Sequence, residues 1–527
     1  MSATFDVITI GSGHNGLIAA AYLAKAGRKV LVLERNSYFG GGVATQEIVA
    51  PGWRHDLHSA THIVIQANPL IRNDELGLVS KYGLKYTYPE SVFSTIFEDQ
   101  TSIISYTDLD KTCASIAAIS PRDAEAYREF AAQSAAILPM IVSGLFVPPA
   151  PQGPFWALLD QSPQGRDLMR AMQMSMLDIV NERFTHDKIK VHLLKFAAEM
   201  LVGPDVKGTG AILFNMPGVV HAYPPGVPVG GSESLIKALM ACLKANGAEF
   251  RANSTVQKVL VEGGKAVGVR LADGETITAK QAVIAQVHPW FLGDLVDGLD
   301  TRVARNARAT KTADFAIMTQ HYALKSPPRY HAGAEPGRAA LANFAPATLD
   351  GYMGIFDDYR RGSMGSDHCM LAAHENSQFD PTRAPPGGAT LTLFAFGPFD
   401  LADGGSAAWK TRKEEIGQWI RGHYSKYVAN LDESNVAGWG FWTPLDMVED
   451  SPTFQRGDVG GVGKFFYQIG GHRPTPELSQ YAVPGVKGLY LAGTFMHPPG
   501  GITGGGRATA VKMCADMGIT FDKLIAK

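Results

Sequence analysis

The N-terminal strand, turn and helix constrain the fold more than any other part of this chain. Residues 5–10 (FDVITI) are apolar and β-branched, as expected of a strand buried in a parallel sheet. Three glycines follow with the spacing GxGxxG: Gly11, Gly13 and Gly16. An alanine-rich segment over residues 17–26 then predicts a helix, and residues 29–33 predict a second strand that ends at Glu34. This order predicts a Rossmann-type βαβ unit.

Each position of this unit has a chemical reason. Gly11 permits the tight turn, Gly13 lets the backbone approach a pyrophosphate, and Gly16 lets the helix pack closely against the strand. The N-terminus of the helix faces the phosphates. Glu34 is placed to accept a hydrogen bond from a ribose hydroxyl, and its charge disfavours a 2′-phosphate. We therefore expect a dinucleotide site, the alternative being a strand-turn-helix unit without a ligand.

A second glycine cluster favours FAD over NAD as the dinucleotide. Residues 35–42 (RNSYFGGG) come directly after the ribose-binding carboxylate. Such a cluster lets the chain pass beside the cofactor, and it contributes three further candidate cofactor-binding residues: Arg35, Gly41 and Gly42. The alternative is a surface turn of three glycines.

Composition narrows the class of protein. A chain of 527 residues requires two or three substructures around a large core. The net charge of −2 and the pI of about 6.7 give no basic surface, so nucleic-acid binding is not expected. The four cysteines lie far apart without a CxxC pair, which predicts buried thiols and neither a zinc site nor a redox dithiol.

The compartment is predicted from the same features. Sparse cysteines, and an N-terminus that leads directly into a strand without a signal segment, predict a cytoplasmic protein. The longest apolar stretch, residues 135–150, is interrupted by prolines and falls short of the ~20 residues that span a bilayer. No transmembrane helix is expected.

Two further segments complete a family pattern. Residues 224–235 (PPGVPVGGSESL) place glycines before a predicted helix, and residues 488–510 (GLYLAGTFMHPPGGITGGGRATA) place a strand, a turn and a glycine-rich helix start at residue 503. Together with the N-terminal unit they resemble the amine oxidase and phytoene desaturase superfamily of flavoproteins, in particular its carotenoid desaturase and retinol saturase-like branch. The resemblance implies noncovalent FAD, with a helix N-terminus directed at the flavin ring.

The resemblance also implies a domain plan. The fold class is α/β, with a glutathione-reductase-type Rossmann FAD-binding domain and an inserted mixed α+β substrate domain. The FAD-binding domain is expected over residues 1–67, 218–300 and 480–527, and the substrate domain over 68–217 and 301–479. Residues 253–285 carry turn signals at 263–264 and 273–274, which predict a small antiparallel sheet within the first domain.

The remaining cofactor contacts follow from the resemblance. Val256 would touch the adenine end through its backbone, although a plain β-meander would look the same. The other implied contacts are Ser59, Gly493, Gly501 and Ile502. No second GxGxxG unit follows a strand, so an NAD(P)H domain is not expected, and oxygen or a quinone becomes the candidate electron acceptor.

Histidines supply the catalytic candidates. Residues 52–62 (GWRHDLHSATH) resemble a family segment that runs beneath the flavin; Asp56 matches it, whereas His58 stands where glycine is common. Imidazoles titrate near neutrality, so His58, His62 and His497 are the candidate general acids or bases. The alternative is that these histidines take no part in catalysis and hydrogen-bond to FAD or to backbone groups. No metal site is predicted from them.

The substrate region is predicted to be helical and apolar. Ser120 and Pro121 have the pattern of a helix cap and first turn, and the four methionines between residues 169 and 176 favour helix core over substrate pocket. The uncharged segment 137–156 could line a substrate tunnel or lie on a membrane surface, which would make the protein peripherally membrane-associated.

These features predict an FAD-dependent oxidoreductase that forms, reduces or isomerises a carbon–carbon double bond in an apolar, isoprenoid-like or aromatic substrate. Hydride transfer needs placement more than a strong base, because the cofactor supplies the chemistry. One alternative is an amine oxidase, with Trp439 and Trp442 as aromatic walls around the amine. A second is an FAD-binding interaction protein that has lost catalysis.

Overall fold

Two large β-sheets organise the molecule. The computed structural model describes residues 4–365 and 367–526. Within these ranges, two seven-stranded sheets are accompanied by two short two-stranded pairings, Thr45–Gln46 with His55–Asp56 and Tyr86–Thr87 with Val227–Pro228.

The first sheet is a Rossmann-type sheet built around the N-terminal strand. Thr4–Ile10 pairs in parallel with Val30–Leu33 on one side and with Thr276–Ala285 on the other. The remaining strands of this sheet are Glu249–Arg251, Val256–Glu262, Lys265–Leu271 and Leu489–Leu491. Residues 7–10, directly before the glycine turn, are buried, as the apolar run predicted. The predicted α/β class and its FAD-type Rossmann unit are confirmed.

Three details of this sheet and its helices differ from the sequence prediction. The first helix is His14–Lys25, so it begins directly after Gly13 and not at residue 17. The antiparallel strands do not form a separate small sheet, because Thr276–Ala285 is long enough to pair with Lys265–Leu271 at its start and with parallel strands at its end. The last glycine-rich helix is Gly506–Asp516, which begins three residues later than predicted, after a left-handed Gly504.

The second sheet is mostly antiparallel and forms the other half of the molecule. In spatial order its strands are Val436–Trp442, Ala316–Leu324, Ala389–Gly397, Leu371–His374, Leu341–Ala345, Ser91–Phe97 and Ser102–Tyr106. Only the pairing of Leu341–Ala345 with Ser91–Phe97 is parallel among those described. All strands of the two large sheets lie within the segments predicted for the two domains, although leucines from residues 70–84 pack into the first-sheet core, past residue 67.

Helices cover both sheets and fill the region between residues 109 and 222. The α-helices are Pro69–Arg72, Leu109–Ala117, Pro121–Leu145, Gln152–Leu159, Pro163–Ala171, Met176–Arg183, Asp187–Glu199, Gly210–Ala222, Glu233–Ala245, Leu292–Leu295, Thr301–Arg308, Leu349–Arg360, Ala408–Ser425, Pro444–Asp450 and Phe521–Ile525, in addition to the two named above. Ser120 accepts a hydrogen bond from the Asp123 N–H with Pro121 in the first turn, as predicted. The methionine run packs in or against the helical core.

The apolar segment 137–156 is only partly buried. Phe146 is 2% exposed and its carbonyl accepts a hydrogen bond from Arg507, so this residue belongs to the interior. Leu158 follows the segment closely and is 51% exposed, and Tyr467 is 58% exposed. In the part of the chain that the structure describes, no helix combines the length and apolarity needed to cross a bilayer.

Candidate active site

One cavity of about 570 Å³ is lined by both halves of the molecule. On the first-sheet side its walls come from residues at or just beyond the carboxyl ends of the parallel strands: Ile10, Leu33, Gln286 and Gly493. Ligands of open α/β sheets bind at this edge, because the loops that follow the strands diverge there. The other wall is formed by residues of the second sheet.

Most of the predicted cofactor residues meet at this cavity. Those that line it are Gly11, Gly13, Glu34, Arg35, Gly41, Gly42, Ser59, Val256, Gly493, Gly501 and Ile502, together with the catalytic candidate His58. Three predicted site residues are not among its described lining residues: Gly16, His62 and His497. The fold therefore brings together segments that are up to several hundred residues apart in the sequence.

Glu34 is held in place by hydrogen bonds within the protein. Its Oε2 accepts hydrogen bonds from the Ser12 N–H (2.9 Å) and the Ser12 hydroxyl (2.6 Å), and its Oε1 accepts one from the Asn36 N–H (2.9 Å). A carboxylate has about four acceptor positions, so capacity remains for a ribose hydroxyl. The side chain is buried, and it is anchored to the glycine turn that would hold the pyrophosphate.

Gln286 braces the glycine turn, and sequence reasoning missed it. Its Oε1 accepts a hydrogen bond from the Gly16 N–H (3.0 Å), and its Nε2 donates one to the Gly11 carbonyl (2.7 Å). A Cβ atom on Gly16 would lie 2.1 Å from the Gln286 Nε2. The nearest atoms that a side chain at position 16 would meet thus belong to Gln286, which would have to move and give up these hydrogen bonds. A polar residue directly after a buried strand was the only signal.

A segment from the second half of the chain lines the cavity beside Arg35, at the end where the cofactor residues Glu34 and Arg35 lie. The Arg35 guanidinium donates to the carbonyls of Glu449 (2.9 Å) and Asp450 (3.2 Å), and residues 450–454 line the cavity. No motif marks this segment in the sequence. Burial raises the pKa of Asp450, whose Oδ2 lies 3.7 Å from the His58 Nε2.

Several polar atoms around the cavity fit a bound cofactor. His14 Nε2, His58 Nδ1 and Ser59 Oγ are buried and have no hydrogen-bond partner among the described residues, and all three side chains line the cavity. Buried polar groups are normally paired, so unpaired ones at a cavity wall indicate a ligand that supplies the partner. A dinucleotide, with its ribityl hydroxyls, phosphates and ring nitrogens, provides such partners. The residues present therefore fit FAD.

His58 is a neutral imidazole at neutral pH. Burial lowers its pKa to about 4, and its ring packs edge-on against Phe454 at 5.1 Å. A base with so low a pKa holds a proton weakly. The lowered pKa therefore favours a hydrogen-bonding role for His58 over general acid–base catalysis.

His62 and His497 have partners away from the cavity. His62 bonds through Nδ1 to the Tyr86 hydroxyl (3.0 Å) and through Nε2 to the Ser232 hydroxyl (3.2 Å). His497 bonds through Nε2 to the Gly144 carbonyl (3.0 Å) at the end of a helix. Burial lowers the pKa of each to about 4. These contacts indicate positioning of the surrounding loops.

A buried ion pair holds the segment that carries His58. The Asp56 carboxylate accepts from the Arg383 guanidinium at 2.8 Å, from the Thr45 hydroxyl at 2.6 Å and from the Ser232 N–H at 2.9 Å. Both members of the ion pair are almost fully buried. Removing either partner would leave an uncompensated buried charge, so the aspartate at this motif position has a structural role.

The far wall of the cavity is apolar. Its residues lie on one face of the second sheet, where Ile317 pairs with Phe396 and Ala372 pairs with Phe394 across neighbouring strands. The polar residues that line this end are Thr61, Glu199 and His374. In the described ranges, no group of three His, Cys, Asp or Glu side chains could hold a metal ion.

Fold and site together fit one class of protein: a flavoprotein oxidoreductase in which a dinucleotide site at a sheet edge shares one cavity with an apolar wall. Comparisons with known proteins agree. Residues 9–73 match a model of the NAD(P)-binding Rossmann-like domain, and residues 150–305 match a model of the flavin containing amine oxidoreductase.

Relatives align with nearly the whole chain. A limonene dehydrogenase polypeptide of Castellaniella defragrans is 26% identical over 98% of this chain and 95% of its own length. The lycopene-forming phytoene desaturase of Pseudescherichia vulneris is 23% identical over 97% of this chain and 99% of its own. A solved putrescine oxidase, bound to putrescine, superposes with a TM-score of 0.61 at 16% identity, covering 98% of this chain and 99% of its own, and so supports the fold.

The comparisons bear out the resemblance to the superfamily of FAD-dependent amine oxidases and phytoene desaturases that the sequence motifs predicted. The chain is an enzyme, an FAD-dependent oxidoreductase.

Proposed function

We propose that this enzyme forms, reduces or isomerises a carbon–carbon double bond in an apolar, isoprenoid-like or aromatic substrate. Bound FAD supplies the hydride acceptor or donor in such a reaction. If a double bond is formed, the two electrons removed from the substrate would pass to oxygen or a quinone, since no second dinucleotide-binding motif is present in the sequence. If a double bond is reduced, a reduced quinone or another two-electron donor would have to supply them, and isomerisation needs no external carrier.

One observation carries the proposal: a single cavity joins the cofactor residues to a wall of aliphatic and aromatic side chains. Apolar walls bind apolar carbon skeletons by removing their surface from water. Val92, Leu341 and Phe394 come from three different strands of the second sheet and line this end. Side chains on packed strands hold a skeleton more rigidly than loops do, and hydride transfer depends on such placement.

The rest of the chain's contribution is positioning and exclusion of water. Glu34 and the glycine turn bind one end of the dinucleotide, and Gln286 keeps that turn rigid. His58 lines the cavity, and because burial lowers its pKa to about 4 the neutral ring can offer a hydrogen bond there. Hydride transfer needs no strong base, so the weak basicity of His58 is compatible with it.

The names of two relatives support this substrate class. One is named for limonene dehydrogenation and another for phytoene desaturation, and both names refer to apolar hydrocarbons. Trp439 stacks on Tyr322 and Trp442 packs against His321, and neither tryptophan is among the residues that line the described cavity. This arrangement gives no support to the aromatic walls considered for an amine oxidase.

The test is anaerobic reduction of the bound flavin. Purified enzyme is mixed with monoterpenes, carotenoid precursors, alkylbenzenes and primary amines, and the loss of oxidised-flavin absorbance is followed. If a double bond is formed, we expect a compound of the first three groups to reduce the oxidised flavin. If a double bond is reduced, such a compound should instead reoxidise dithionite-reduced flavin under the same conditions, and isomerisation is read from the products. The amines should do none of these. Reduction by amines alone, with amine-dependent hydrogen peroxide in air, would instead establish an amine oxidase.

A variant of the apolar wall links the reaction to the cavity. Phe394→Ala removes a large side chain from the wall, and the apolar burial it provides, ~1.5–3 kcal/mol, should raise KM by about 10- to 150-fold when it is removed. Tyr467→Ala removes an exposed aromatic residue outside the cavity and is the control. Equal KM values in both variants, with FAD retained, would place the substrate elsewhere.

A further inference from the structure

The apolar end of the cavity contains a partly buried ion pair that neither FAD binding nor hydride transfer requires. Lys195 and Glu199 lie one turn apart on the helix Asp187–Glu199, with the Lys195 Nζ 2.5 Å from the Glu199 Oε1. The Lys195 side chain is 3% exposed, whereas Glu199 is 26% exposed and lines the cavity. The ammonium also lies 4.0 Å from the centre of the Phe93 ring.

This pair is costly for the fold. A buried ion pair contributes little net stability, because desolvation offsets the attraction between the charges. Glu199 is also the last residue of its helix, where the helix dipole disfavours a negative charge. Apolar residues of similar volume would serve the core at least as well, so stability alone does not explain why the pair is here.

A second hydrogen-bond acceptor lies at the same end of the cavity. His374 lines the cavity and its Nδ1 is 2.7 Å from the Ala340 carbonyl, which can only accept, so Nδ1 carries the proton. Burial lowers the pKa of His374 to about 4, with a contribution from the Lys195 charge, and the ring is neutral at pH 7. The other ring nitrogen, Nε2, is therefore an acceptor. The Thr61 hydroxyl lies 3.2 Å from Nδ1 and lines the cavity too.

We propose that Glu199, supported by Lys195, and His374 form a polar subsite that binds a hydroxyl group of an otherwise apolar substrate. The substrate class is thereby narrowed to alcohols or phenols with a hydrocarbon skeleton, an inference that rests on the proposed function. Two hydrogen-bond acceptors that line the same cavity match a ligand that donates a hydrogen bond. Because the Lys195 charge balances that of Glu199, the subsite has no net negative charge for an ammonium ion, so a neutral hydroxyl matches it better than an amine.

The test compares matched ligands that differ by one hydroxyl. FAD-loaded enzyme is titrated anaerobically with limonene and carveol, and with p-cymene and thymol, and each Kd is read from the perturbation of the flavin spectrum. The readout is the ratio of the hydrocarbon Kd to the Kd of its hydroxylated partner. In Glu199→Gln this ratio should fall about tenfold, the equivalent of a hydrogen bond to a charged group, with the hydrocarbon Kd unchanged.

Two further variants keep the test decisive. Lys195→Met/Glu199→Leu replaces the whole pair by apolar residues, so it leaves no unpaired charge, and should lower the ratio at least as far. Glu182→Gln, at an exposed surface pair with Arg170, should leave it unchanged. An equal ratio in wild type and both Glu199 variants, or no binding by any of the four compounds, would overturn the subsite. A hydroxyl preference in which none of the four compounds reduces oxidised flavin, reoxidises reduced flavin or is isomerised would sustain the subsite and count against the proposed double-bond chemistry.

Discussion

Replacing Glu34 tests the assignment of the cofactor site at a single carboxylate. This group accepts three hydrogen bonds inside the protein, from the Ser12 N–H, the Ser12 hydroxyl and the Asn36 N–H. In Glu34→Ala these three donors form hydrogen bonds with water instead, and the ribose hydroxyl of FAD loses its charged acceptor. The change therefore acts on the cofactor and on the shape of the glycine turn together.

The magnitude follows from the hydrogen bond that the substitution removes. A hydrogen bond to a charged group contributes ~1.5–3 kcal/mol, which corresponds to an increase of about 10- to 150-fold in the Kd for FAD. Loss of the anchor between Glu34 and Ser12 adds to this, because the Ser12 hydroxyl also accepts a hydrogen bond from the Gly40 N–H at 3.0 Å. We expect the upper part of the range.

The assay is reconstitution of the apoprotein, with flavin fluorescence read as FAD is added. Glu262→Ala, at an exposed strand end of the same sheet, is the matched control and should bind FAD as the wild type does. An unchanged Kd in folded Glu34→Ala protein would refute the placement of the ribose at this carboxylate.

Four other predictions are open to direct measurement. Gly16→Ala should lower FAD occupancy, because its methyl group displaces the Gln286 side chain, and Gly16→Ala/Gln286→Ala should recover part of it; equal occupancy in both would show that the overlap is harmless. Heat or acid should release the flavin into the supernatant, and flavin in the pellet would reveal a covalent bond. Leu158→Asp/Tyr467→Asp should reduce co-sedimentation with liposomes if the exposed residues beside segment 137–156 touch a membrane; wild type that stays in the supernatant would leave that segment as a protein surface or tunnel wall. The apoprotein should lose thermal stability as the pH falls from about 6.5 toward 4, because burial lowers the pKa of His58, His62, His374 and His497 to about 4 and the unfolded chain takes up protons that the folded chain does not. His58→Asn should remove only the contribution of one histidine from this dependence, and a Tm of the wild type that stays constant over the range would contradict the reasoning.

Much of the cofactor end could be predicted because its signals are local. The glycine spacing and Glu34 act within one βαβ unit, where each residue's role depends on neighbours a few positions away. The substrate end carries weaker signals. Glu199 and His374 stand in unrelated segments, and neither has a neighbour in the sequence that marks it as part of a site.

The histidines show the limit most clearly. His58, His62 and His497 are equivalent candidates by residue type, yet only the folded chain separates one that lines the cavity from two that bond to Ser232 and Gly144 elsewhere. Burial also lowers the pKa of all three, which no residue type reveals.

Local sequence was enough to establish the Rossmann unit, the cofactor class and the superfamily, because backbone turns and strand periodicity depend on adjacent residues. Folding of the whole chain was needed to show that Gln286 braces the glycine turn and that a segment near residue 450 lines the cavity beside Arg35. The same holds for the lysine and the glutamate that meet the apolar wall. These contacts join segments that are far apart in the chain. Hydrogen bonding and desolvation depend on which groups are close in space, and the order of residues alone does not give those distances.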